Sequence, residues 1–446
     1  MLTDMSWLKQ GAMFPPFDER VRLNHLRDAK LLYEGHHDYV FHRWNKTEGV
    51  EGLDIKVNWH RRLSLLWADM LVGQPPEIKS SNDVALNEFL KRNQFNERLY
   101  ESAIDVSRFG TSVAKLRYIE GEGAVVDIVP ADIWFPVINP ANVKDVQQHV
   151  LAWKWSKNPR TDVEENFLSV EIHHKGRVEY ITYSLTGSNG IGVRTSYEEE
   201  MTGVNKFLVY PISNVTTSNS VYGENDYDDI NSLVEEIEMR LTQLGKVLDK
   251  HADPSMYGDE SALEYDDVKG EYLVRGGGGS FYPVTPDGVT PAYITWDANL
   301  ESAQKQVDLL MQQFYVVSQT SPAAFGDMKE GLVESGSALK RLLMATIIKV
   351  NRLKIRYEAA ITYILELAGE MQSKRGQAGF SNISVEFKDA LPEDEYEKVQ
   401  NEVMRINNGL SSVESSVSRI DGISGDALQR EMEAINSQRP GGNDDE

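Results

Sequence analysis

The chain has 446 residues and 50.4 kDa, with 41% hydrophobic and 26% charged residues, enough to bury a sizeable core in about two to four structural units and unlike a disordered chain. Its 69 acidic against 46 basic residues give a formal net charge of −23, which disfavours general adhesion to nucleic acid or anionic lipid. The absence of cysteine excludes disulfides, thiolate metal sites and cysteine nucleophiles.

The N-terminus has no basic region followed by an apolar run, and no apolar stretch approaches about eighteen residues, so neither a standard secretion signal nor a membrane span is expected. From Asp18 to Leu32, Val21, Leu23, Leu26, Ala29 and Leu32 recur at helical spacing, and Gly35 stops the segment. A second helix over Val57–Val72 places Trp59, Leu63, Leu66 and Met70 on one face and ends at Gly73-Gln74-Pro75-Pro76, where proline cannot continue it. Two more helices are expected over Asp83–Phe95 and Asn96–Phe109.

At Gly110 the pattern changes to alternation. Short β-branched or aromatic runs at Val113–Tyr118, Val125–Val129, Ile133–Val137, Val150–Trp155, Leu168–His174, Val178–Leu185 and Phe207–Tyr210 predict an antiparallel sheet region. Pro136 and Pro140 put their segment at an edge or in a loop, because proline cannot donate to a ladder. A linker over Ser213–Gly223 then leads to a helix over Tyr227–Asp253 with a stripe through Ile230, Leu233, Ile237, Leu241, Leu244 and Leu248. Its acids, Asp228, Asp229, Glu235, Glu236 and Glu238, fall in the first half, and Lys246, Lys250 and His251 in the last turns, which complements the helix dipole.

About forty turn-rich residues follow. Strand-like Glu271–Arg275 and Phe281–Val284 flank glycines 276–279 and predict a small β-hairpin module with a flexible tip. A returning helix opens at Trp296-Asp297, carries Leu300, Ala303, Val307, Leu310, Phe314 and Val317, and closes at Ser321-Pro322. Two helices that leave and return around an insert lie side by side, and their apolar faces call for neighbours, most simply copies of the same chain. A loop over Ala323–Ser335 then enters one long helix over Gly336–Met371, roughly 50 Å at 1.5 Å per residue. This helix is basic, with Lys340, Arg341, Lys349, Arg352, Lys354 and Arg356, a pattern that fits a solvated or ion-paired face, or a few cations turned toward a polyanion. A strand over Ile383–Phe387 is expected to rejoin the earlier sheet, followed by three short helices broken at Asn408-Gly409 and Gly422–Gly425 and a polar tail.

Motifs for chemistry are weak. Gly276–Ser280 has glycines but no phosphate-loop lysine; His36-His37 and His173-His174 are adjacent pairs, a poor metal-ligand geometry in a strand. Asp226, Asp228 and Asp229, or Asp266 and Asp267, read as a solvated acidic face before a two-metal site. Glu334-Ser335-Gly336-Ser337 lacks the first glycine of a serine-nucleophile elbow.

In this order several motifs resemble the tailed-bacteriophage portal proteins of the SPP1 gene 6 type, in the branch found in phages of actinobacteria. They are Tyr33-Glu34-Gly35-His36-His37, Asn58-Trp59 through Gly73-Gln74-Pro75-Pro76, Phe109-Gly110-Thr111-Ser112, Val129-Pro130-Ala131-Asp132 and, most specific, Ser321-Pro322-Ala323-Ala324-Phe325-Gly326 followed by Ser335-Gly336-Ser337-Ala338-Leu339. The resemblance implies an α+β portal fold with helical stem, mixed α/β wing, small β-containing clip and short helical crown, assembled as a ring of twelve. It places the wing at 1–225 and 337–390, stem helices at 226–253 and 297–320, the clip at 254–296, a tunnel loop at 321–336, the crown at 391–438 and a flexible tail at 439–446.

The implied function is a noncatalytic channel, without cofactor or metal, at the unique capsid vertex of the virion, assembled in the host cytoplasm, through which double-stranded DNA is packaged and ejected. Implied partners are the large terminase subunit, which supplies ATP hydrolysis, a head-completion or adaptor protein, the major capsid protein and a scaffolding protein, with no membrane. Phe325, Lys329, Glu330, Leu332 and Val333 would face DNA in the tunnel loop, with Lys340 and Arg341 guiding it. Tyr265, Tyr272, Arg275, Phe281 and Tyr282 would form the clip's docking surface. An acidic wall would repel DNA and let it slide. The reading from another class is a metal-dependent DNA-processing hydrolase built on the acidic residues.

Overall fold

A computed structural model describes residues 1–41, 55–159, 164–187, 189–252, 256–258, 263–266, 271–274, 281–283, 292–293, 300–327, 336–388, 395–423 and 425–438. The chain is α+β, 48% helical and 25% strand. Its first helix, α1 (Arg20–Glu34), ends where Gly35 takes φ 85°, a left-handed conformation that glycine adopts without steric cost. Asn58 caps α2 (Trp59–Val72) by accepting from the Arg61 N–H, and its Nδ2 donates to the Tyr33 carbonyl at 3.0 Å. The one side chain therefore starts α2 and fixes it to α1. Asn58→Ala is expected to lower stability by about 1–2 kcal/mol, read as a fall in urea midpoint with unchanged slope.

After β1 (Glu77–Lys79) come α3 (Asp83–Arg92) and α4 (Phe95–Phe109), separated by Gln94 at φ 47°. The sheet region divides in two. Strands β2 (Thr111–Ile119) and β3 (Gly123–Val129) join β9 (Val209–Ser213) in the order β3-β2-β9. Between them in sequence, β4 (Trp134–Asn139), β5 (Asn142–Lys157), β6 (Glu165–His173), β7 (Arg177–Thr186) and β8 (Gly190–Met201) form an antiparallel meander in chain order. Strand β8 escapes the sequence pattern because Arg194–Glu200 is polar on both faces, where an edge strand extends into solvent. Pro136 lies in β4, the opposite edge strand.

Three apolar clusters hold these layers. The N-terminal segment contributes Leu2, Trp7 and Phe14 to the meander, packed with Phe135, Val150 and Leu168. Val113 and Val209 meet Trp134 and Leu151 where the two sheets join. In the largest cluster, Trp67, Phe89 and Leu99 from α2, α3 and α4 surround Tyr357, Ile361 and Ile364 of a long helix near the chain's end.

Helix α5 (Asn231–Ala252) begins four residues later than expected, after hydrogen-bonded turns from Tyr227. Strands β10 (Met256–Gly258), β11 (Leu263–Asp266), β12 (Glu271–Val274), β13 (Phe281–Pro283) and β14 (Ala292–Tyr293) follow. They form a β11-β12 hairpin and a mixed sheet β13-β10-β14, with β10 and β13 parallel, in place of the single hairpin expected. Glycines 276–279 lie outside the described residues. Helix α6 (Leu300–Val317) brings the chain back, and a 3-10 turn over Pro322–Phe325 succeeds it.

The expected long helix is two. Helix α7 (Gly336–Leu342) ends at Leu343, whose φ −96° and ψ 11° leave helical values, and α8 (Met344–Lys374) has 31 residues. That makes α8 about 46 Å long at 1.5 Å per residue. Neither glycine nor proline marks the break, so no sequence signal announces it. Strand β15 (Ser384–Glu386) pairs with β1 and joins neither larger sheet, contrary to expectation. Three residues cannot supply a sheet edge of their own, and β1 offers the matching short partner. Helices α9 (Glu395–Asn407), α10 (Val413–Asp421) and α11 (Asp426–Gln438) end the described chain.

Candidate functional surfaces

The first half of the α5 stripe is core: Tyr227, Ile230, Val234 and Ile237 are buried. Glu238 lies on that same face, four residues after Val234 and three before Leu241. It is fully buried and accepts from His37 Nδ1 at 2.7 Å and from the Val57 N–H at 2.8 Å. One carboxylate thus ties α5 to the chain on both sides of residues 42–54. Glu238, expected only as one of the acids in the first half of this helix, is a clamp.

Beside it, His60 Nε2 meets Asn231 Oδ1 at 2.9 Å, and Tyr227 Oη shares a 2.6 Å hydrogen bond with Ser64, which donates to Ser107. Burial lowers the His60 pKa from 6.5 to about 3, with His37 adding repulsion. His37 belongs to a 3-10 turn over His37–Tyr39, so the strand argument made for the His36-His37 pair does not apply to it.

A second clamp joins α8 to the entry of α5. Lys349 Nζ lies 2.7 Å from Asp226 Oδ1 and 4.0 Å from the centre of the Trp67 ring, while Asn214 Nδ2 donates to the same Asp226 oxygen. Desolvation lowers the Lys349 pKa although Asp226 opposes the shift. Asp226 is therefore a buried structural partner, not part of a solvated face or an open metal site. At the same junction Gly110 has φ 75°, and a Cβ on it would stand 2.3 Å from the Gly223 carbonyl oxygen. Two backbones cross there with no room for a side chain, which is the physical content of the Phe109-Gly110-Thr111-Ser112 motif.

The basic residues of α8 are engaged within the chain to a degree the periodicity did not reveal. Arg352 donates to the Gln319 side chain, Lys354 to the Lys388 carbonyl and Arg356 to the Ser213 carbonyl. Lys340 and Arg341 are exposed on α7. Phe325 packs against Trp59 at 5.5 Å between ring centres and against Tyr315 at 6.1 Å, so it anchors the start of its loop. Lys329, Glu330, Leu332 and Val333 lie outside the described residues, as does Arg275. Tyr265 and Tyr272 are paired across β11 and β12, Phe281 is in β13, and Tyr282 is exposed beside Tyr257.

Glu238 and Lys349 were legible only as charges displaced onto apolar stripes, and nothing local named their partners 201 and 123 residues away. A cleft of about 590 Å³ opens between α1 and the meander, lined by Leu23, Leu26, Arg27, Lys30, Phe135 and Lys154 among others. Its one acidic residue is Asp132, and no histidine or hydroxyl lines it. Among the described residues no group of three histidines or carboxylates could hold a metal ion, and no helix is long and apolar enough to cross a membrane.

These features define an α+β protein: a packed body, a helical hairpin clamped to it through Glu238 and Lys349, and a small β module at the hairpin's far end. The chain belongs to the phage portal protein family, SPP1 Gp6-like, whose family model matches residues 18–441. It is similar to a chain in the neck of a native GTA particle computed with C12 symmetry, with 11% identity over 81% of this chain and 89% of that one and a TM-score of 0.46. It is also similar to a chain in the virion of a native gene transfer agent particle, with 12% identity over 93% of this chain and 96% of that one and a TM-score of 0.48. No curated protein matches.

Proposed function

We propose that this portal protein assembles as a ring of twelve at one vertex of the capsid and forms the channel through which double-stranded DNA is packaged and later ejected. Family membership over residues 18–441 is the observation that carries the reading. The shape of the chain agrees with it: α5 and α6 are anchored at one end, through Glu238 and Phe314, and carry the small β module at the other. In this reading 226–253 and 297–320 are stem, 254–296 the clip, 391–438 the crown, and 1–225 with 337–390 the wing.

The clip, with Tyr265, Tyr272, Arg275, Phe281 and Tyr282, docks the large terminase subunit during packaging and a head-completion or adaptor protein afterwards. The wing meets the major capsid protein, and the crown side meets scaffold during assembly in the host cytoplasm. The protein itself hydrolyses nothing. Its net charge of −23 keeps the channel wall from trapping DNA, and the loop 321–336, followed by Lys340 and Arg341, supplies the local contact with the duplex. Of the acids offered for the hydrolase reading, Asp226 is bonded to Lys349 and Asn214.

Deletion of residues 329–333 tests the loop. Rings should still form in electron micrographs while DNA packaging falls at least tenfold. Loss of the ring instead would make the loop a structural joint and overturn its role as a DNA contact.

A further inference from the structure

The cleft between α1 and the meander reverses the charge balance of the chain around it. Four bases line it, Arg27, Lys30, Arg108 and Lys154, against the one acid Asp132, in a chain whose acids outnumber its bases 69 to 46. Two of the four bases are already paired. Arg108 is held by Asp105 at 2.8 Å, and Arg27 meets its neighbour Asp28 at 3.0 Å on the exposed surface. The other two have no carboxylate. Lys30 makes no hydrogen bond or ion pair among the described residues. Lys154 donates to the neutral side-chain oxygen of Asn189 and lies 5.6 Å from the centre of the Phe14 ring. Desolvation lowers the Lys154 pKa, and no anion acts against the shift.

Between these cations the cleft is apolar. Phe14, Leu26, Phe135 and Ala152 are buried along it and Leu23 is half-buried. Its volume of about 590 Å³ falls in the range of built ligand sites, roughly 300–1,000 Å³. Lys30 stands on α1 and Lys154 on β5, so the two uncompensated ammonium groups belong to different walls.

Charge and surface together select the occupant. A nucleic-acid duplex presents phosphates without an apolar face and would leave the floor in contact with water. A fatty acid would cover the floor but brings one anion to two ammonium groups. A peptide with carboxylates on both sides of an aromatic or aliphatic side chain satisfies both, because each carboxylate forms a charge-assisted hydrogen bond with one lysine while the side chain between them covers Leu23 and Leu26. Asp132 is then placed to accept a backbone N–H of the same peptide.

We propose that the cleft between α1 and the meander binds an acidic segment of a partner protein, with an apolar anchor on its floor and carboxylates on Lys30 and Lys154. The site needs no second copy of this chain, so it stands apart from the ring reading.

Fluorescein-labelled hexapeptides Asp-Glu-Phe-Leu-Asp-Glu, Asp-Glu-Gly-Gly-Asp-Glu and Lys-Lys-Phe-Leu-Lys-Lys are titrated with the full chain, and their anisotropy is read. The first should bind about tenfold more tightly than either of the others, since it alone supplies both carboxylates and an anchor. Lys30→Glu changes an exposed side chain and should melt as the wild type does; Asn189→Asp offers Lys154 a carboxylate within the chain. Each should weaken the first peptide about threefold, and the two together about tenfold.

Equal binding of the glycine peptide would reduce the effect to general attraction and overturn the site, and equal binding of the lysine peptide would do the same. An affinity unchanged in both variants, or no binding of any peptide, would also overturn it. Binding of oleate in place of the peptides, weakened by Lys30→Glu and Asn189→Asp, would assign the cleft to a fatty acid instead.

Discussion

Acidification from pH 7.5 to pH 4 is expected to lower the free energy of unfolding by roughly 4 kcal/mol, through two buried imidazoles set against one buried carboxyl. Burial brings both His60 and His149 from 6.5 to about 3. Their surroundings fit neutral rings: His149 Nδ1 accepts the Trp134 indole N–H at 3.1 Å, and His60 Nδ1 is buried without a partner. A group whose pKa is depressed by folding contributes stability that is present above its unfolded value and lost as pH falls toward its folded value. The window is therefore pH 6.5 to 3, and each histidine accounts for about 3 kcal/mol of loss by pH 4.

Asp105 works the other way. Desolvation raises its carboxyl from 3.8 to about 6, against the pull of Arg108. Its contribution is fully present below pH 3.8 and lost as pH rises through 6, so acidification returns about 2 kcal/mol. Urea titrations at the two pH values measure the net change. In His60→Gln the difference between them should shrink by about 3 kcal/mol; an unchanged difference would mean that His60 does not titrate as a buried neutral ring.

Replacement of Lys349 by alanine is expected to cost about 3–5 kcal/mol, because it leaves the Asp226 carboxylate in the interior without its cation. Asn214 still donates to Asp226, but a neutral amide does not offset a desolvated charge. The double variant Lys349→Met with Asp226→Asn should recover at least about 2 kcal/mol of that loss, since removing both charges removes the desolvation cost of each. A single-variant cost within about 1 kcal/mol, typical of solvated surface pairs, would contradict the burial of this pair. The lost contact joins α8 to the start of α5, so the single variant should also lower the yield of assembled rings, counted in micrographs.

The local elements read well from the chain because their signals are local. Gly35 ends α1 by its left-handed backbone, Asn58 begins α2 with its side-chain oxygen, and Gly409 and Gly422 take positive φ at the breaks among the last three helices. Strand β8 was missed because a strand exposed on both faces has no alternation to detect. The break at Leu343 was missed because leucine is a good helix former and no residue there forbids the helix. Lys340 and Arg341 are exposed, and Phe325 packs among Trp59, Phe314 and Tyr315.

By itself the sequence determined the order of helix, β insert, helix, loop and long helix, the acidic balance, and the motifs that place the chain in the portal family, all properties carried by residues close together in the chain. The tertiary structure alone decided which charges are interior. Glu238 and Lys349 look like surface residues until His37 and Asp226, 201 and 123 residues distant, are brought to 2.7 Å. It also decided which apolar residues of α6 and α8 are core and which stay exposed, because that depends on which face of each helix the body covers, and periodicity does not encode it.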